Sequence, residues 1–325
     1  MRRDIRLWTW RGEPFEYSVV GEGKPVLMMH GGHSNCREEF GYRELTAAGY
    51  RLITPSRPGY GGSSKAIGRT LDEACEAYAG LLDHLGADAA HVIAFSAGGP
   101  SGIRFAGLYP ERVRSLVLLS AVTGQWLTPD HREYKMARIL FGPWLERYTW
   151  LALRLASNIW PRFGFQLIAR NISLLPPKEI ERRMGPLDIE AVRRMNNRQR
   201  SGSGFALDLK QAGQLRKADL EAVWAPALIV HSPWDMSVGI RNARYACEHI
   251  PHAEFAEADA WGHLIWLGRG GGAVDRACVD FLRRHDGTAP FRPAETGNAG
   301  GFPEAPAGRS GTPAPKRPPV PETRG

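Results

Sequence analysis

Ser96 lies in Ala94-Phe95-Ser96-Ala97-Gly98, behind the apolar run His91-Val92-Ile93-Ala94-Phe95 and ahead of a helix-forming segment. A strand that enters a turn of small residues and leaves as a helix lifts one hydroxyl above the end of a sheet. The next backbone N–H, that of Ala97, then sits at a helix N-terminus, where it can stabilise an oxyanion. Small residues are needed at 94 and 98 because strand and helix pass close together there. The chemistry this suggests is acyl transfer from a serine. Such a hydroxyl is a weak nucleophile at neutral pH and needs a base to take its proton and a third group to orient that base. The same letters also fit an ordinary Gly-rich turn, so the flanking chain has to decide.

Upstream, Pro25-Val26-Leu27-Met28-Met29 reads as a short buried strand ending in His30-Gly31-Gly32-His33, whose glycines let backbone approach a substrate carbonyl. A second apolar strand, Tyr50-Arg51-Leu52-Ile53-Thr54, leads into Ser56-Arg57-Pro58-Gly59-Tyr60-Gly61-Gly62-Ser63-Ser64. Downstream, Ala227-Leu228-Ile229-Val230-His231 is a strand followed by Ser232-Pro233-Trp234-Asp235, and Ala260-Trp261-Gly262-His263-Leu264 precedes a closing helix.

These motifs, in this order across most of the chain, resemble the α/β-hydrolases. Ala94 stands where that family usually has Gly in its nucleophile elbow. The resemblance implies a Ser-His-Asp triad of Ser96, His263 and Asp235, in the family's chain order of nucleophile, acid, base. It also implies an oxyanion hole made by the backbone amides of Gly32 and Ala97. The stretch 56–64 looks like the family's Gly-x-Gly-x-Ser turn and is read as structural. A serine at 96 disfavours the dehalogenase and epoxide-hydrolase branches, which attack with a carboxylate.

Rivals exist for each role. His249 and His252 flank Pro251 and read as solvated turn residues, His285 lies near the end of the folded part, and His231 ends a strand as a core histidine would. None combines a loop after the acid strand with a preceding glycine, as His263 does. Asp259 is the rival acid, four residues from His263, a spacing more typical of a solvated loop. His33, Phe95 and Trp234 are the candidate substrate contacts.

The elements that must position these residues follow a β-α rhythm, with a helix over 71–85, a central strand over 113–119 and a last strand over 254–257. Residues 5–10 and 15–20 alternate as an antiparallel edge pair would. The expected architecture is an α/β-hydrolase fold, a mostly parallel sheet flanked by helices, with an inserted helical cap. Residues 1–123 and 221–285 form the core, 124–220 the cap, and 286–325 a disordered Pro/Gly-rich tail. By default the aromatic stripe of the cap (Tyr148, Trp150, Trp160, Phe163) is its own core; a cap of this kind covers the pocket and selects what fits.

Segment 124–220 carries 17 Lys+Arg against 9 Asp+Glu, a surplus equal to the +8 of the whole chain. Arg182-Arg183, Arg193-Arg194 and Arg198-Gln199-Arg200 are its densest clusters. The excess would steer an anionic substrate or attract an acidic membrane surface; the plainer reading, a solvated face, is preferred. No nucleic-acid module is recognisable. Cys36, Cys75, Cys247 and Cys278 lack CxxC spacing and fit a reducing compartment, with Cys36 the one expected to be accessible. Without an apolar leader or a membrane-length run, the protein is expected to be cytoplasmic. No cofactor or metal is implied, the partner is a small-molecule substrate, and oligomeric state is left open.

The function expected is cleavage of a small carboxylic ester or related acyl bond through an acyl-enzyme. The alternatives are a C–C bond hydrolase or cofactor-free haloperoxidase-like enzyme using the same triad, and a non-catalytic ligand receptor or scaffold. A proline-iminopeptidase-like role would need an acidic anchor for the substrate amine, which a net positive cap does not favour.

Overall fold

A computed structural model describes residues 3–291 other than 125, 128, 129 and 143. Its strands are β1 (Asp4–Trp10), β2 (Glu13–Val20), β3 (Lys24–Met29), β4 (Tyr50–Pro55), β5 (Ala90–Phe95), β6 (Val113–Leu119), β7 (Ala227–His231) and β8 (Ala253–Glu257). They form one sheet in the order β1-β2-β4-β3-β5-β6-β7-β8. The pairs β1–β2 and β2–β4 are antiparallel and the remainder parallel. This is the edge pair and the mostly parallel sheet that the alternation pattern predicts.

The helices of the first half are α1 (Tyr42–Ala47), α2 (Leu71–His84) and α3 (Gly99–Leu108). Between β6 and β7 come α4 (Arg132–Leu140), α5 (Glu146–Ile159), α6 (Pro161–Ile172), α7 (Pro177–Arg183), α8 (Asp188–Arg198), α9 (Gly204–Ala212) and α10 (Lys217–Glu221). The chain closes with α11 (Arg241–His249) and α12 (Gly271–Arg284). The start of α2 is fixed by a capping box in which Thr70 Oγ1 accepts from the Glu73 N–H and the Glu73 side chain accepts from the Thr70 N–H.

Successive residues of a strand point to opposite faces, and both faces of the central strands β3 to β7 are covered. Leu27 and Met29 of β3 join a core with α2, α3 and α11, while Val26 and Met28 join the other with α1 and α12. The helices between β6 and β7 extend the second core through Phe165, Ala169, Ile180 and Val192.

The strand order reverses at β3, which has β4 on one side and β5 on the other. Open α/β sheets place their functional crevice at such a reversal, beyond the carboxyl ends of the strands. Here Met29 is paired with Ala94, so the turn at His30 and the turn at Ser96 emerge side by side.

Residues 286–291, the start of the expected tail, are held against the core. Asp286 pairs with Lys24 at 2.9 Å and accepts from Tyr50 Oη at 3.1 Å, and Phe291 stacks on Trp224. The rest of that expectation, 292–325, lies outside the described residues. One cysteine expectation is corrected: Cys36 is fully buried, and Cys247 is the partly exposed one. Among the described residues no helix is long and apolar enough to cross a membrane.

Candidate active site

Ser96 follows β5 with φ of +52°, left-handed backbone that a non-glycine residue adopts only where its surroundings impose it. The imposing contacts are local. The Ser96 carbonyl accepts from the Val122 N–H at 2.9 Å, tying the elbow to the loop after β6. The departure at Ala94 is absorbed one turn into α3, where a Cβ on Gly102 would lie 2.6 Å from the Ala94 methyl. The strand and helix therefore keep their close approach, with the small partner moved from strand to helix.

Ser96 Oγ lies 2.8 Å from His263 Nε2, and His263 Nδ1 lies 2.7 Å from Asp235 Oδ2. A carboxylate only accepts, so Nδ1 carries the proton of the neutral ring and Nε2 is left to accept from the serine hydroxyl. Asp235 Oδ1 accepts from the backbone N–H groups of Ser237 and Val238, each at 2.9 Å. Burial alone would raise the Asp235 pKa, but the electrostatic attraction of His263 and hydrogen bonds from His231 and His263 outweigh it and hold the carboxyl at about 2. The acid is ionised, oriented from both oxygens and dry.

His231 proves to be more than a core residue. Its Nε2–H lies 2.7 Å from the Val238 carbonyl and 3.3 Å from Asp235 Oδ2, so it braces the acid turn from beneath. Its position four residues before the acid, at a strand end, was the available signal. Asp259 is well exposed and paired with Arg183, far from the role of rival acid.

The loops of His263 and Asp235 are pinned by the end of α6 and the segment that follows it. The Ile172 carbonyl at the end of α6 accepts from the N–H of His263 at 3.0 Å and of Met236 at 3.4 Å, and Ser173 bridges to Asp235. The glycine before His263 is there for this approach, because a Cβ on Gly262 would sit 2.6 Å from the Ile172 carbonyl oxygen. Trp234 is turned toward the same segment. Its carbonyl accepts from the Leu174 N–H at 2.9 Å, and its half-exposed ring lies 5.8 Å from the Arg183 guanidinium.

Opposite Ser96, His30-Gly31-Gly32 is held by Arg57, a residue that sequence reasoning assigned to a structural turn. Its guanidinium is buried and donates from Nε to the His30 carbonyl at 2.8 Å and from Nη2 to the Gly31 carbonyl at 3.2 Å. His30 Nδ1–H also donates to the Gly31 carbonyl, at 2.7 Å, while its Nε2 accepts from the Arg57 N–H at 3.0 Å. Burial and the neighbouring Arg57 push the His30 pKa well below its ordinary value, which keeps that ring neutral. The peptide joining Gly31 to Gly32 is planar, so fixing its carbonyl toward Arg57 turns the Gly32 N–H the other way. A Cβ on Gly32 would lie 3.7 Å from that of Ala97, so the two residues face each other across the crevice.

Arg57 in turn is paired with Asp208 of α9 through contacts of 2.5 and 2.8 Å, and Tyr60 Oη donates to the same carboxylate at 2.6 Å. One buried ion pair thus links the turn at Gly32 to α9. The arginine and its partner are 151 residues apart, so no local pattern could have paired them.

Of the expected substrate contacts, Phe95 is nearest the reacting groups, its ring 5.0 Å from that of His263. His33 is walled in by Phe205 at 4.2 Å, Phe141 at 4.3 Å and Trp150 at 5.3 Å, and its Nδ1 lies 2.7 Å from Ser201 Oγ. Burial first, with Arg57 adding to it, lowers its pKa to about 3 against the opposing pull of Glu146.

The family model described as the alpha/beta hydrolase fold matches residues 24–268. A curated protein of Bacillus subtilis described as an uncharacterized hydrolase, YcgS, is 49% identical over 282 residues, spanning 87% of this chain and 99% of that relative. A 2-hydroxy-6-oxo-6-phenylhexa-2,4-dienoate hydrolase of Burkholderia cepacia is 36% identical over 111 residues, 31% of this chain and 37% of its own length. Among solved structures, an alpha/beta hydrolase fold protein from Nakamurella multipartita superposes with a TM-score of 0.72 at 28% identity, covering 86% of this chain and 99% of that one. With sheet order, elbow and family model in agreement, this chain belongs to the α/β-hydrolase superfamily, as a hydrolase of that fold.

Proposed function

We propose that the protein is a serine hydrolase that cleaves a small carboxylic ester or related acyl bond through a Ser96 acyl-enzyme. The observation that carries this reading is the unbroken, buried relay from Ser96 Oγ through His263 to Asp235, at 2.8 and 2.7 Å. His263 Nε2 takes the hydroxyl proton as Oγ bonds to the acyl carbon, and returns it to the leaving alkoxide as the C–O bond breaks. The N–H groups of Gly32 and Ala97 receive the developing oxyanion, each worth about 3–4 kcal/mol of barrier. Water, deprotonated by the same imidazole, then releases the acid and restores Ser96. Asp235 keeps the ring in the required tautomer and stabilises its positive charge.

In this reading the helices inserted within 124–220 act as the cap. Phe95 and the neutral His33 form apolar walls beside the reacting carbonyl, and Trp234 stands at the rim. The partial likeness to a dienoate hydrolase supports a second reading, C–C bond hydrolysis with the same three side chains.

A fluorophosphonate probe tests the first claim: wild type should label, and Ser96→Ala and His263→Ala should not. Failure of a folded wild type to label would overturn the reading and leave a ligand receptor in its place. p-Nitrophenyl esters of graded chain length, set against a vinylogous 1,5-diketone acid, then separate ester from C–C hydrolysis.

A further inference from the structure

The positive charge of the inserted segment is not uniformly available. The dense clusters are answered by carboxylates: Arg182 and Arg183 by Glu179, Arg193 and Arg194 by Glu190, Arg198 by Glu39 and Arg200 by Glu146. The arginines of α5 and α6 are different. Arg147, Arg154, Arg162 and Arg170 have no carboxylate partner among the described residues. From Trp144 to Ile172 the sequence offers one acidic side chain, Glu146, which is buried and held by Arg200 and the Ser201 N–H.

The same two helices expose an apolar face. At about 100° per residue, Tyr148, Leu151, Leu155 and Ile159 of α5 fall within about 80° of arc. They continue into Trp160 and Phe163 at the α5–α6 elbow, and all six are between 49% and 63% exposed. Arg147 and Arg154 run along one border of that stripe, and Arg162 stands within the elbow, where Ile159, Trp160 and Phe163 surround a shallow recess. The opposite face of α5 packs inward, with Trp150 buried and donating from Nε1 to Ser201 Oγ at 2.8 Å beside His33. The helix therefore touches the neighbourhood of Gly32 on one side and presents large apolar side chains to the outside on the other.

We infer that this α5–α6 face docks on an anionic lipid surface, its leucine, isoleucine and aromatic side chains entering the acyl boundary and its arginines meeting the headgroups. An apolar stripe bordered by Arg and ended by Trp is the composition of helices that lie in a membrane interface. Charge decides against a second copy of the chain. A two-fold contact brings the same patch against itself, so the arginines would oppose one another with no carboxylate in the patch to answer them. A phosphatidylglycerol headgroup supplies that missing negative charge. Docking is independent of how the site is read, and its test uses no substrate.

The intact protein is to be sedimented with vesicles of phosphatidylcholine alone or mixed with phosphatidylglycerol, at low and high salt, and weighed by light scattering in solution. Wild type should partition to the mixed vesicles and be released by salt. Leu155→Glu/Trp160→Glu should cut binding at least tenfold. Arg154→Gln/Arg162→Gln should cut it on the order of twentyfold, at roughly fivefold for each arginine near an anionic surface. Because Leu155, Trp160 and Arg162 are exposed and Arg154 is partly so, unchanged thermal melting checks that the variants fold. Equal partition to both vesicle types, no partition, or binding indifferent to the substitutions would overturn the inference. So would a wild-type dimer that Leu155→Glu/Trp160→Glu converts to monomer, which would make this face a contact between copies.

Discussion

Asp208→Asn removes one charge, changes almost no volume, and should weaken both stability and turnover. In the native protein the Arg57 and Asp208 side chains are 2% and 4% exposed and share contacts of 2.5 and 2.8 Å. The asparagine leaves the guanidinium buried without a counter-charge, and it can accept from Arg57 only through Oδ1, with its Nδ2 hydrogens turned toward donors that the carboxylate received. Breaking a buried pair from one side costs about 3–5 kcal/mol. At roughly 2–4 °C per kcal/mol for a chain of this size class, the melting temperature should fall by roughly 6–20 °C. The effect on turnover follows from the peptide plane. If the guanidinium shifts toward water, it releases the His30 and Gly31 carbonyls, and the Gly32 N–H loses its fixed direction. With that N–H as the oxyanion donor proposed above, worth about 3–4 kcal/mol when aligned, kcat should fall roughly 10- to 100-fold with KM little changed. Guanidinium unfolding and p-nitrophenyl ester kinetics measure the two arms, with the rate of fluorophosphonate labelling as a second readout for the site. The control is Arg57→Met/Asp208→Leu, which replaces the pair by apolar side chains and should recover most of the stability. It should not recover kcat, because no group then holds the Gly31 carbonyl. A loss below about 1 kcal/mol in Asp208→Asn would refute the argument that the pair is desolvated. Full activity in the double variant would refute the positioning role of Arg57.

Substitutions at three further residues probe the site and its frame. Asp235→Asn should lower kcat about 10⁴-fold by favouring the wrong His263 tautomer, and should lower the melting temperature near neutral pH by roughly 4–8 °C as the stabilisation from the ionised carboxylate is lost. The acid limb of stability should show the same residue: its folded pKa of about 2 lies below the unfolded value, so it stabilises above about pH 4. About 2 kcal/mol should be lost as pH falls toward 2, and urea titrations of wild type and Asp235→Asn would show whether that loss disappears in the variant. Asp275 should act in the opposite sense. Burial, with Glu44 adding to it, raises its pKa to about 7, so it destabilises increasingly as pH rises from about 4 to 7. Asp275→Asn should therefore raise the melting temperature at pH 8 and not at pH 4, and a pH-independent effect would refute the assignment. Gly262→Ala forces a Cβ against the Ile172 carbonyl and should cut kcat on the order of 100-fold by displacing His263, with binding of substrate less affected.

The strands and the order of the chemistry-bearing residues were legible in the sequence because they are local. Leu116–Leu119 and Ala227–Val230 are runs of apolar residues buried on both faces, and the helix Leu71–His84 is capped by the local Thr70–Glu73 pair. The small residues around Ser96 likewise record a close approach between elements adjacent in the chain. Ala94 looked like a departure only because its compensation, Gly102, lies on the next helix.

What the tertiary structure alone decided is how the turns at Gly32, Asp235 and His263 are held. Arg57 and Asp208, the Ile172–Ser173 clip over the acid and base loops, and His231 beneath Asp235 join segments far apart in sequence or lean on backbone atoms that carry no side-chain signature. The same holds for the arginines. Composition counted the surplus, but which guanidinium groups meet a carboxylate and which border the apolar face of α5 depends on helix orientation about a core that forms only when the chain is folded. Periodicity tells which residues share a helix face; it does not say whether that face looks inward or out, because burial is a property of neighbours that a single sequence does not place.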